Sequence, residues 1–232
     1  MMRISIAVGI LLVCSLAYAM PMGGLSYIPE AFSMSLSIHL GYQQQDQELM
    51  HSPQDVESQG TSYSSYLGLK LGIYPADFVG FFASFGTGDW RMSEIEYQSF
   101  LGIDYAGGVA FKIFPWERSA FQTVLALSVG GFQSSGSAHI GKEQRNDIEN
   151  MEYQGSLLFS YAVERNIIPF GGIRYDASYT RFSPRYQYNM TPSGKWGVQL
   201  GLDYFVTPYV FFSGEMQIFE RTAVYMGVGL KY

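Results

Sequence analysis

Residues 223–232 read AVYMGVGLKY, and this stretch decides the fold. Its even-numbered residues, Val224 to Tyr232, are all apolar or aromatic, whereas the residues between them are mostly small or polar. A period of two is typical of a β-strand with one apolar face. An edge strand with such a face promotes aggregation unless it pairs on both sides, and closure into a barrel provides both partners. The pattern therefore favours a closed β-barrel.

Within this stretch, residues 225–232 resemble the C-terminal signal of bacterial outer-membrane β-barrel proteins. The members of that family carry a glycine, a large hydrophobic residue and a terminal aromatic residue at this spacing, which here are Gly227, Leu230 and Tyr232. The family usually ends in Phe, whereas this chain ends in Tyr. The resemblance implies insertion by the barrel-assembly machinery and contact with outer-membrane lipid and lipopolysaccharide. It also implies an outer-membrane location in a Gram-negative-type bacterium, with both termini in the periplasm.

The composition agrees with a membrane barrel. The chain has 232 residues, of which 47% are hydrophobic and only 15% are charged, and its mean hydropathy is +0.04. A helical membrane protein needs runs of roughly 20 apolar residues, and none follows the N-terminal region. A barrel needs an apolar residue only at every second position. The formal net charge of −6 argues against nucleic-acid binding through phosphate neutralisation.

The N-terminal region predicts a cleaved signal peptide over residues 1–19. It begins with a positive charge, continues with an apolar run at 4–16, and ends with the small-residue cleavage pattern at 17–19. Residues 20–31 are then a short periplasmic segment, and residues 32–232 form the barrel. The only cysteine of the chain lies in the predicted signal peptide, so we expect a mature chain without disulfides.

Ten period-two runs follow, and they predict an all-β, antiparallel, up-and-down transmembrane barrel of ten strands; eight strands are the alternative. A soluble β-sandwich also alternates, but the signal peptide and the terminal aromatic residue argue against it. The longest polar connections, 44–61 and 134–150, are predicted outside loops that would carry any extracellular ligand. The runs lie at about 32–43, 62–74, 78–88, 98–114, 119–133, 151–163, 167–181, 195–206, 209–219 and 223–232.

Charged residues on the faces opposite the apolar ones should line the lumen. Four are basic and four are acidic, so every buried charge could find a partner, as burial requires. We therefore predict an ion-pair network that plugs the barrel, because a selective pore would favour a lining of one sign. The eight residues are Lys70, Asp104, Lys112, Arg174, Asp176, Asp203, Glu215 and Lys231.

The sequence indicates location more clearly than activity. It predicts a structural or surface-interaction barrel with a plugged lumen, with a narrow porin-like channel for small solutes and a surface-rim hydrolase as the alternatives. The three histidines, His39, His51 and His139, accompany no Gly-x-Ser-x-Gly motif and no metal-ligand spacing. We therefore predict no enzymatic activity, no metal site and no cofactor.

Overall fold

The barrel region is described by a computed structural model. The predicted signal peptide, 1–19, and the segment 20–31 lie outside the described residues. The structure describes residues 32–52, 55–93, 96–99, 101–114, 120–138, 144–164, 166–183, 189–192, 196–219 and 221–232.

Strands make up nearly all of this part of the chain. No helix within the described ranges is long and apolar enough to cross a bilayer. In chain order the strands are β1 (Ser33–Ser52), β2 (Asp55–Ala76), β3 (Val79–Met92), β4 (Tyr97–Ser99), β5 (Gly102–Phe114), β6 (Phe121–Ala138), β7 (Gln144–Tyr161), β8 (Ile167–Ser183), β9 (Asn189–Pro192), β10 (Trp196–Phe205), β11 (Val210–Phe219) and β12 (Arg221–Lys231).

Ten of the strands close into an antiparallel ring, as predicted. The order around the ring is β1, β2, β3, β5, β6, β7, β8, β10, β11 and β12, and β12 pairs with β1 to complete it. All neighbouring pairs are antiparallel. We call the end that carries Ser33 and Lys231 the terminal end, and the opposite end the far end. Connections at the terminal end are short where they are described, for example Asp77 and Phe78 between β2 and β3.

Side chains alternate between the outer surface and the lumen along each strand. On β1, Met34, Leu36, Ile38, Leu40 and Tyr42 point outward and are 44–58% exposed. The residues between them are buried or half-buried. This outward series spans roughly 20 Å for a strand tilted as in barrels, close to the apolar band of about 25 Å that membrane barrels present. The same outward pattern on the other strands completes an apolar belt.

The strands continue beyond the belt at the far end, and this corrects two of the loop predictions. Residues 44–61 are not an irregular loop, because β1 and β2 continue through them and stay paired as far as Ser52 and Asp55. Residues 134–150 likewise belong mostly to β6 and β7. Both segments are mostly polar in sequence, so they lack the regular alternation that marks a half-buried strand. Cross-strand backbone hydrogen bonds nevertheless pair them as strands.

The ring contains ten strands within the belt and eight at the far end. The β11–β12 hairpin ends at Phe219 and Arg221, and beyond it β1 pairs with β9 instead of β12. β9 also pairs with β8, and β4 replaces β5 between β3 and β6. The far-end ring is therefore β1, β2, β3, β4, β6, β7, β8 and β9. Since barrel diameter grows with strand number, the lumen narrows toward the far end.

Glycines make room for aromatic rings in this narrow interior. The ring of Phe82 lies against Gly108 of the neighbouring strand, where an added Cβ would lie 2.5 Å from Phe82 Cζ. The ring of Phe170 covers Gly201 in the same way. The many glycines of the sequence thus allow large rings to lie flat against the barrel wall, where they fill the lumen.

Candidate functional site: the lumen

All eight predicted lumen residues lie on inward-facing positions. Six are buried, and the remaining two, Lys112 and Lys231, are half-buried near the terminal end. Each of these lysines lies between two exposed apolar residues of its strand. The buried six are Lys70, Asp104, Arg174, Asp176, Asp203 and Glu215.

Two further charged residues, Glu152 and Arg221, lie at the centre of the network and are 1% exposed. Arg221 Nη2 forms ion pairs with Glu152 Oε1 and, at 3.1 Å, with Asp176 Oδ1. Arg174 Nη1 lies 2.6 Å from Asp176 Oδ2. The four side chains join β7, β8 and β12 across the lumen. Arg221 begins β12, so this cluster lies where the ring changes from ten strands to eight.

Amide side chains extend the cluster toward the terminal end. Arg174 Nη1 donates a hydrogen bond of 2.7 Å to Gln217 Oε1, and Gln217 Nε2 donates one of 2.6 Å to Glu215 Oε1. Lys70 lies within electrostatic range of Glu215 and Asp203. The Lys70 ammonium also lies 5.1 Å from the centre of the Phe82 ring, a distance typical of cation–π contact. A continuous polar layer therefore crosses the middle of the barrel.

The buried charges of this layer are not balanced in sign. Three cations, Lys70, Arg174 and Arg221, face five carboxylates, which are Asp104, Glu152, Asp176, Asp203 and Glu215. Asp104 stands apart from the ion pairs. Its Oδ1 atom has no hydrogen-bond partner among the described residues. Ion pairs are thus present around Arg174 and Arg221, and a network that pairs all eight predicted residues stays a prediction.

Buried apolar side chains form a layer in the lumen between the polar layer and the terminal end, and no pattern in the sequence indicates it. Leu158 and Val124 are opposite each other on β7 and β6, as are Ala126 and Ala110 on β6 and β5. Phe170 and Phe211 are two further buried rings, on β8 and β11. Phe170 is level with Glu215, because both residues are paired with Gly201, so this ring lies beside the polar layer. The main cluster of this layer contains Tyr74, Phe82, Ala110, Val124, Ala126 and Leu158, each no more than 4% exposed.

A second group of buried apolar side chains lies inside the eight-stranded ring at the far end. Trp90, Met92 and Tyr97 are buried on β3 and β4, and Ile148 is buried on β7. The rings of Trp90 and Tyr97 meet edge to face with their centres 5.4 Å apart. The Trp90 backbone N–H donates a 2.6 Å hydrogen bond to Ser99 Oγ. The lumen thus consists of a polar layer between two apolar ones.

The nearest approach to a catalytic pair in the described lumen is a hydrogen bond of 2.6 Å between Ser37 Oγ and His39 Nε2. Both residues are buried on the lumen face, so a substrate has no access to them. His139 lies outside the described residues. Within the described ranges, no group of three His, Cys, Asp or Glu residues could hold a metal ion.

The three residues that resemble the assembly signal, Gly227, Leu230 and Tyr232, do not share one face of the barrel. Leu230 and Tyr232 point outward into the apolar belt, and Gly227 lies on the inner face beside His39. All three lie on or just after β12, the strand that closes the ring against β1. Their part in recognition by the assembly machinery stays a prediction.

Known proteins match this chain by structure and not by sequence. No family model matches it, and no curated protein matches it. The transport unit of the autotransporter AIDA-I from Escherichia coli superposes with a TM-score of 0.54 and 11% identity, covering 98% of this chain and 97% of that chain.

Two further structures cover similar shares at lower TM-scores. The translocator domain of the autotransporter NalP from Neisseria meningitidis is 12% identical, with a TM-score of 0.48 and coverage of 85% of this chain and 88% of that one. The outer membrane protease OmpT from Escherichia coli is 11% identical, with a TM-score of 0.46 and coverage of 89% and 97%. At these identities only the fold is informative. The chain therefore has the fold of a bacterial outer-membrane β-barrel.

Proposed function

We propose that this protein is an outer-membrane β-barrel with a sealed lumen, which acts as a structural or surface-interaction protein rather than as a channel. The observation that carries the proposal is the succession of three filled layers along the lumen. The apolar layers at Leu158 and at Met92 consist of side chains that are at most 5% exposed. The polar layer between them is joined by short contacts around Arg174 and Arg221. Hydrated ions would have to displace all three layers.

The far-end rim is the part of the protein that would meet other molecules. β1 continues from Gln44 to Ser52 beyond the belt, which corresponds to roughly 20 Å of tilted strand. Cross-strand hydrogen bonds stiffen this wall, with Thr61 Oγ1 donating to Asp46 Oδ1 at 2.9 Å and Ser135 Oγ donating to Asp147 Oδ1 at 2.6 Å. A closed ring has no free strand edges, so a partner would bind to side chains and hairpin tips rather than add a strand.

The proposed orientation places the terminal end in the periplasm and the rim outside the cell. Short connections at the terminal end and long hairpins at the far end agree with the arrangement of bacterial barrels. In this orientation the hairpins that include 44–61 and 134–150 are the candidate contact sites for an extracellular ligand. Lipid and lipopolysaccharide would surround the belt, and the barrel-assembly machinery would insert it.

Conductance of the mature chain, residues 20–232, in a planar bilayer tests the sealed lumen. Insertion is first verified by the different mobility of unheated and boiled protein on a denaturing gel. We expect no conductance steps from the inserted wild-type protein. A positive control, the double variant Phe82→Ala with Leu158→Ala, removes the centre of the terminal apolar layer. Stable steps from the wild type would contradict the proposal and favour the narrow-channel alternative.

We propose no catalytic role for the rim. A surface-rim hydrolase would need a nucleophile and a base that are accessible at the far end. The buried Ser37 and His39 pair does not meet this requirement. Hydrolysis of ester or peptide substrates by intact cells that produce the protein, compared with cells that do not, would contradict this part of the proposal.

A further inference from the structure

We propose that two reciprocal contacts between an aromatic ring and a glycine, across the seam of β1 and β12, fix the register in which the barrel closes. The ring closes at this seam, where the first strand pairs with the last one. It joins residues about 190 positions apart, for example His39 with Gly227. No turn sets the register of such a pairing, in contrast to a hairpin. The side chains on the seam therefore have to specify it.

The first contact places the His39 ring of β1 over Gly227 of β12. The two residues are direct cross-strand partners. A Cβ added at Gly227 would lie 2.5 Å from His39 Nδ1, 2.6 Å from His39 Cε1 and 3.0 Å from the backbone oxygen of Ile38. The ring is held in place by the hydrogen bond of 2.6 Å between His39 Nε2 and Ser37 Oγ. Only glycine leaves room for the ring in this position.

In the second contact the ring belongs to β12 and the glycine to β1. The Tyr225 ring lies over Gly41, its direct partner, and a Cβ at Gly41 would lie 2.6 Å from Tyr225 Cε1. The Tyr225 hydroxyl donates a hydrogen bond of 3.2 Å to Gln43 Oε1, also on β1. Each strand thus contributes one ring and one glycine, two residues apart.

A slip of the seam by two residues keeps the same faces inward but leaves at least one of the two rings without a glycine. In one direction the rings of His39 and Tyr225 come to lie opposite each other in a narrow lumen. In the other direction His39 would face Gly229, but the Tyr225 ring would meet the side chain of Gln43. A slip by one residue moves every apolar side chain of β12 into the lumen. The observed register is the one that accommodates both rings.

This register also places an acceptor on β1 beside Arg221. Arg221 is the direct partner of Gln45 on β1, and its Nη1 atom donates a hydrogen bond of 2.9 Å to Gln43 Oε1. Tyr225 and Arg221 therefore share one acceptor across the seam. A slipped seam would move Gln43 by two residues, about 7 Å, away from the Arg221 guanidinium, whereas β8, β10, β11 and β12 keep their mutual pairing. His39 and Tyr225 are in this sense positioning residues for the Gln43 acceptor of Arg221.

The test uses Gly227→Ala, with Gly214→Ala on the adjacent strand β11 as the matched control. An added Cβ at Gly214 meets no atom within 4 Å. Both proteins are refolded into lipid vesicles without any assembly machinery, so that an effect on recognition by the machinery plays no part. Overpacking at Gly227 should lower the folded yield about fivefold or more, whereas Gly214→Ala should fold like the wild type.

Two outcomes decide whether the His39 ring is the cause. The double variant His39→Ala with Gly227→Ala removes the ring that the new Cβ would contact, so its folded yield should return to the level of His39→Ala alone. Failure of the double variant to recover would overturn the proposal, because Gly227 would then be needed for some other reason. A wild-type yield from the single variant Gly227→Ala would overturn it as well.

Disulfide formation reports the register itself. Leu40 and Met226 point outward and are direct partners, so Leu40→Cys with Met226→Cys should cross-link in the native register. Slipped seams would instead cross-link Leu40→Cys with Val228→Cys or with Val224→Cys. We expect only the native pair to form in the wild-type background, and slipped pairs to appear in the fraction of Gly227→Ala that does close. Native cross-linking alone in that variant would show that the contacts do not set the register.

Discussion

Replacement of Arg221 by Met should destabilise the barrel far more than the removal of an exposed arginine. The Arg221 guanidinium is buried and contacts Glu152, Asp176 and Gln43. Removal of one partner from a buried ion-pair cluster leaves uncompensated carboxylates and costs about 3–5 kcal/mol. With a urea dependence of about 1–3 kcal/mol/M, the unfolding midpoint should fall by about 1–5 M.

Arg91→Met is the matched control, because Arg91 pairs with Asp89 at 2.7 Å but is 58% exposed. An exposed pair contributes about 0–1 kcal/mol, so this variant should unfold close to the wild type. The assay is the urea titration of folded protein in lipid vesicles, followed by gel mobility and tryptophan fluorescence. The addition of Glu152→Gln to Arg221→Met should recover part of the loss, since it removes one unpaired charge. An Arg221→Met midpoint equal to that of Arg91→Met would refute the reasoning.

Three further predictions concern the belt, the lumen and the orientation. Leu200→Arg places a charge on the outward face of β10 and should cost about 2–4 kcal/mol in the same titration, whereas Gln133→Arg, which lies beyond the belt, should cost little; equal costs would show that the belt is wrongly placed. Leu158→Ala opens a cavity in the terminal apolar layer and should cost about 2–5 kcal/mol, and an unchanged midpoint would mean that this layer is not packed. Asp147→Cys should react with a membrane-impermeant maleimide on intact cells and Thr207→Cys only after lysis, and the reverse result would invert the proposed orientation.

The sequence was informative where one face of a strand meets lipid. The predicted start of the eighth run at 195 and its end at 206 agree with β10 (Trp196–Phe205) to within one residue. The alternation failed beyond the belt, where the strands are mostly polar in sequence. There the backbone pairing of β1 with β2 extends to Ser52 and Asp55, although the side chains give no signal for it.

The lumen was predicted in part, for reasons that particular residues make clear. Glu152 is absent from the predicted lumen set, although alternation alone indicates its inward direction, because the next residue, Tyr153, points outward. Arg221 lies between the predicted runs 209–219 and 223–232, whereas in the structure the last strand begins at Arg221 itself. Residues such as Leu158 are apolar next to apolar outward neighbours, so no pattern separates the two faces. Their burial depends on the width of the closed ring.

Because the β11–β12 hairpin is short, the outer surface of the barrel has a step where this hairpin ends. The ring has eight strands at the far end and ten within the belt. Because barrel diameter scales with strand number, the cross-section at the far end is about two-thirds of that within the belt. The step lies on one side, at the tip of the hairpin, where Phe219 and Trp196 are 76% and 64% exposed. A neighbouring molecule that contacts the ten-stranded part of the barrel on this side leaves a gap at the far end, beyond the step. The outer surface that the barrel presents to neighbouring molecules therefore differs between the side of this hairpin and the rest of the ring.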